Sequence, residues 1–148
     1  AGGPPILIGG RKEPAFRRAG RLGDGYISHM CSAEMYAENL DTIRRYAREA
    51  GREGVPFHTA AFLFTILDDD YDAALQKAEQ LLQMIYNRPF GDAARKYCLL
   101  GRPEDCVQQL RRFRDAGCRH FVLSPLMDAD EFVDRAGPGL LAALRAGL

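Results

Sequence analysis

Four short apolar runs, each handing over to a helical pattern, constrain this chain more than any other feature. Ile6 to Ile8, Tyr26 to Ser28, Phe57 to Leu67 and His120 to Ser124 read as strands. The third carries the strongest signal, because its aromatic and β-branched residues suit a pleated surface. Amphipathic stretches lie between them. Glu13 to Leu22 sets Ala15, Phe16, Ala19 and Leu22 at helical spacing. Ser32 is an expected N-cap for a long helix to Ala50, carrying Met35, Leu40, Ile43, Tyr46 and Ala47, with Gly51 as its stop. Tyr71 to Tyr86 reads as another helix, and Pro103 suits the first position of one that runs to about Ala116 before Gly117. Asn87 to Leu100 reads as a loop holding a short helix at Asp92 to Tyr97. Asp128 to Arg135 and Pro138 to Ala146 close the chain as helical pieces. Strand and helix in alternation argue for parallel strands with crossover helices. Four such βα units form half of an eight-stranded barrel; they also suffice for a small open sheet.

The 148 residues are enough for one domain, read as 1–148, with a real core. Lys plus Arg and Asp plus Glu number 20 each, so the net charge is zero. That balance argues against a nucleic-acid partner, which needs a basic excess. No apolar run approaches the ~20 residues that span a bilayer, so no membrane partner is expected. No charged segment leads into an apolar one at the start, as a secretory signal would. Cys31, Cys98, Cys106 and Cys118 show no zinc-type spacing. They read as reduced, buried thiols of a cytoplasmic protein, and no metal site is expected.

The chemistry concentrates where the first strand ends. Gly9, Gly10, Arg11 and Lys12 follow it and lead into a helix. Backbone N–H groups and the helix dipole favour a phosphate there, and glycines let it approach. Arg11 would add a charge-assisted contact and Lys12 a second cation. The alternative is an ordinary strand-to-helix turn with exposed cations. His29 is a candidate general acid or base, since imidazole titrates near neutrality; the alternative is a structural or exposed ring. His58 and His120 open their strands at the N-terminal end and are read as non-catalytic. Asp68, Asp69 and Asp70 read as helix caps rather than metal ligands. Ser124 has no His/Asp arrangement that would make a hydrolase triad. Tyr97 and Cys98 precede the last βα unit and read as packing residues, with a pocket-lining role as the alternative.

Three stretches together resemble the luciferase-like monooxygenase family, flavin- or deazaflavin-dependent oxidoreductases on a TIM barrel. They are Pro4 to Gly10 running on through Ala15 to Ile27, Leu100 to Cys106, and Ala116 to Pro125. The resemblance covers the C-terminal half of the family. It implies an α/β, TIM-barrel type fold: a C-terminal half-barrel of four βα units with parallel strands. The ends of those strands that carry a barrel's site would hold Gly9, Gly10, Arg11, Ser28, His29, Asp68 and Ser124. The resemblance further implies FMN, or alternatively a deazaflavin coenzyme, with Gly9, Gly10, Arg11 and Lys12 at the cofactor phosphate and a small organic substrate. The expected function is a flavin-dependent oxidoreductase or monooxygenase, with this chain as its cofactor-phosphate half. The alternative is a non-catalytic half-barrel that binds or dimerises. A completing N-terminal half or a second copy of the chain, forming a dimer, is the expected partner. Tyr26 stands where the family often has Trp, and Arg11 and Lys12 stand where it often has small residues.

Overall fold

The computed structural model describes residues 3–146. Its elements are β1 (Leu7–Gly9), α1 (Glu13–Leu22), β2 (Gly25–His29), α2 (Ala33–Glu49), β3 (His58–Leu67), α3 (Tyr71–Tyr86) and α4 (Ala93–Tyr97). They continue with β4 (Leu99–Gly101), α5 (Pro103–Asp115), β5 (His120–Pro125), α6 (Ala129–Ala136), a π-helical turn (Gly137–Leu141) and α7 (Ala142–Arg145). The strands make one parallel sheet ordered β1-β2-β3-β4, with β5 also paired to β3. Among the described residues, no helix is long and apolar enough to cross a membrane. By internal packing the chain divides into two units, Ala1–Phe62 with Phe113–Val122 and Leu63–Arg112 with Leu123–Leu148.

In the first unit, Leu7 lies beside Gly25 and Gly9 beside Ile27, and β2 in turn runs beside β3 from Gly25↔His58 to His29↔Phe62. The Thr59 carbonyl accepts from the Arg119 amide, which starts the β5 pairing. Helices α1 and α2 cover this part of the sheet. Phe16, Tyr26, Tyr36, Leu40 and Ile43 are buried between the layers, and Tyr26 meets the Phe16 ring edge-on. The helices cross at Gly20, where an added Cβ would lie 2.4 Å from the Ile43 carbonyl oxygen. Ser32 caps α2 by accepting from the Met35 amide at 3.3 Å.

In the second unit, β3 continues beside β4 from Thr65↔Leu99 to Leu67↔Gly101. The Thr65 carbonyl accepts from the Leu126 amide just past β5. Ile66 and Leu100 on the sheet pack against Ala74, Leu75, Ala78 and Leu82 of α3 and Ala94 of α4. Asp70 caps α3 through the Asp72 and Ala73 amides, and Asp68 takes Lys77 at 2.7 Å. Asp70 is therefore the cap that the sequence reading expects, while Asp68 is an ion-pair partner.

Two segments differ from the sequence reading. Leu99–Gly101 is a strand, not the end of a loop: both leucines are 1% exposed and extend the ladder on β3. The helix expected from Pro138 instead opens with a π-helical turn at Gly137–Leu141 and becomes α-helical at Ala142. Proline offers no N–H for an i→i−4 bond, and a π turn accommodates that loss.

Candidate functional site

The geometry of the β1–α1 turn starts from Gly10. Its φ of +143° lies where side chains rarely go, and a Cβ there would sit 2.4 Å from the Ala15 Cβ. Both conditions demand glycine. Gly9 is less constrained, since its nearest neighbour would be Ile27 at 3.8 Å. The Gly10 carbonyl accepts from the Tyr26 hydroxyl at 2.9 Å. Across a trans peptide the N–H points opposite to the C=O. The Arg11 amide is thus directed away from the buried Tyr26.

Lys12 is the N-cap of α1 by backbone alone: its carbonyl accepts from the Ala15 amide and its side chain makes no cap bond. Pro14 removes one further donor from the first turn. Glu13, the first residue of α1, is held on α2, where the Tyr46 hydroxyl donates to it and Arg45 stands 3.6 Å away. An anion at the turn would meet the outward Arg11 amide, with the Arg11 and Lys12 side chains beside it. The residues present fit a phosphate-bearing group.

The turn rests on a buried network. Asn39 on α2 donates to the Tyr26 hydroxyl at 3.3 Å and lies 3.6 Å from the Cys31 sulfur. Burial drives the Tyr26 phenol far above its ordinary range. It pushes the Cys31 thiol up to about 11, against the opposing pull of Arg11. His29 stands at the end of β2 with its ring edge-on to Phe62, centroids 5.3 Å apart. Its pKa is lowered, first by burial and then by the Arg11 charge, which favours the neutral imidazole. Ser28 lies on the opposite face of β2 from His29 by strand alternation, and its hydroxyl is buried without a hydrogen-bond partner.

The structure thus brings Gly9, Gly10, Arg11 and His29 to one end of β1 and β2, and leaves Lys12 exposed beside them. A cavity of about 280 Å³ lies elsewhere, where β3 begins, lined by Leu40, Ile43, Arg44, Arg48, Arg52 and Thr59. None of the sequence-predicted site residues lines it. Tyr26, Asn39 and Cys31 are the residues that sequence reasoning missed. Asn39 had a signal: it is a polar residue at helical spacing from Tyr36 and Ile43 on the apolar side of α2.

The parallel strands with crossover helices are of the α/β class, and in fold the chain is similar to luciferase-like TIM-barrel enzymes over about half of their length. The sequence profile of the luciferase-like monooxygenases matches residues 1–120, and the chain belongs to that family. An F420-dependent glucose-6-phosphate dehydrogenase of Nakamurella multipartita is 28% identical over 96% of this chain and 48% of its own length. An F420-dependent secondary alcohol dehydrogenase, solved with an F420-acetone adduct, superposes with a TM-score of 0.81 at 20% identity over 96% and 49% of the two chains. A riboflavin lyase solved with modified FMN and riboflavin superposes at 0.69, with 15% identity over 97% and 43%. The chain spans about half the length of the curated relatives it matches.

Proposed function

We propose that this chain is the cofactor-phosphate half of a flavin- or deazaflavin-dependent oxidoreductase, and that residues 1–148 act as one half-barrel domain. The observation that carries the reading is the Gly10 peptide, with its carbonyl bonded to Tyr26 and the Arg11 amide on the other side. Gly9, Gly10 and Arg11 hold the cofactor phosphate, and Lys12 adds charge at the rim. The family resemblance implies FMN first. The curated relatives favour a deazaflavin, because F420 stands in their names; FMN is the second choice, supported by the riboflavin lyase. When bound, the cofactor supplies the redox chemistry.

The two F420-dependent relatives described above act on glucose-6-phosphate and on a secondary alcohol, by their names. A small hydroxyl-bearing molecule is the corresponding substrate here. In this reading His29 takes the hydroxyl proton, and its lowered pKa favours the neutral imidazole that can accept one. A second barrel half completes the enzyme. The protein works in the cytoplasm, where buried thiols stay reduced. A non-catalytic binding module is the second reading, favoured by the half-length match.

The test is to purify the chain alone and with an N-terminal half from a relative, then titrate each preparation with deazaflavin and with FMN by fluorescence. Retention of deazaflavin and oxidation of an alcohol by the completed protein are expected. Cofactor retained without turnover by the completed protein would favour the binding module. No cofactor retained by either preparation would end the flavoenzyme reading.

A further inference from the structure

We infer that Tyr26, supported by Asn39, is a positioning residue that sets the direction of the Arg11 amide and so makes the β1–α1 turn able to receive an anion. The inference rests on the anion-binding reading of that turn. Three observations carry it. The Tyr26 hydroxyl is the donor to the Gly10 carbonyl, across sixteen residues of sequence. The Tyr26 ring is 0% exposed and wedged between Phe16 and Tyr36, so its hydroxyl cannot move away. Asn39 donates to the same oxygen, which leaves the Tyr26 proton for Gly10.

A glycine peptide at φ +143° is free to rotate unless something holds it. A rotation that swung the carbonyl outward would turn an acceptor toward an incoming phosphate and bury the Arg11 amide. The Tyr26 bond selects against that state. Its worth as an intramolecular hydrogen bond corresponds to about a fivefold bias between the two orientations.

Tyr36 offers a matched control. It is also 0% exposed, and its hydroxyl is buried beside Cys118 and Thr59 without hydrogen-bond geometry to either. Tyr26→Phe and Tyr36→Phe delete the same atom from neighbouring buried rings, and only the first touches the turn. The experiment uses the isotope-labelled 148-residue chain. It reads amide hydrogen exchange at residues 10–13, and separately the amide shifts produced there by inorganic phosphate.

In Tyr26→Phe, exchange of the Arg11 amide is expected to slow, because the flipped state buries it, and phosphate binding to weaken, each by up to about fivefold. Tyr36→Phe should leave both at wild-type values, and Asn39→Ala should fall between. Turn exchange in Tyr26→Phe equal to that of Tyr36→Phe would overturn the inference. If wild type shows no phosphate-dependent shift at the turn while Tyr26→Phe still slows exchange of the Arg11 amide, the anion reading fails and the support of the turn by Tyr26 stands.

Discussion

Gly9 and Gly10 are adjacent and chemically identical, yet their environments ask different things of them. An alanine at 10 would need a positive φ and would collide with Ala15. Gly10→Ala should therefore destabilise by about 2–3 kcal/mol, read as a lower denaturant midpoint. Gly9→Ala meets nothing closer than 3.8 Å, and its cost should stay within about 1 kcal/mol. A cost for Gly9→Ala equal to that of Gly10→Ala would contradict the described turn. His29 gives a second prediction at this scale. Burial is the larger cause of its lowered pKa and Arg11 the smaller, so Arg11→Gln should raise it only part of the way to the ordinary 6.5. An unchanged imidazole titration by NMR would show that Arg11 does not act on the ring. Because the folded pKa is below the unfolded one, the unfolded chain binds the proton first. The stability linked to His29 is complete above 6.5 and is lost as the pH falls below it.

Helices and strands respond to different substitutions. Gly20→Ala should gain about 1 kcal/mol of helix propensity, yet the new methyl would meet the Ile43 carbonyl at 2.4 Å. Pushing α1 off α2 costs more than that gain, and a net loss of about 1–2 kcal/mol is expected in thermal or denaturant unfolding. A stabilised Gly20→Ala would show that the helices do not cross so closely. Nothing in the sequence marks this glycine: it sits mid-helix, and only the neighbouring helix explains it. Caps and stops are legible because their partners are local. Ser32 bonds Met35 and Asp70 bonds Asp72, so three residues of sequence contain the whole interaction. The glycine turn is legible for the same reason. Its support is not, because Tyr26 lies sixteen residues from Gly10 and Asn39 thirteen from Tyr26. β4 escapes because three residues are too few to show alternation, and Leu99 and Leu100 are buried in succession.

At the scale of the whole chain, one end of the sheet is bare. The Ile6 carbonyl accepts from Asp24, so by alternation Ile6 and Ile8 bond toward β2 while Leu7 and Gly9 present their peptide groups to the other edge. Among the described residues no strand pairs with that edge. Ile6 is 64% exposed beside it. An apolar parallel edge of this kind invites another strand, and relatives twice as long have further chain to provide one. The 16.5 kDa chain by itself should therefore associate, with a native mass at or above twice that value. The measurement belongs at about pH 8, away from the neutral point where zero net charge promotes unspecific precipitation. Ile6→Lys places a charge on the edge and should shift the population toward the monomer; at concentrations where both proteins are monomeric the unfolding midpoint should be unchanged, because the side chain it replaces is already exposed. Adding an N-terminal half in trans should likewise dissolve the self-association and give a one-to-one complex. A wild-type chain that stays monomeric at high concentration, with no gain on adding that half, would mean that the edge is satisfied within the chain and that no completing half is needed.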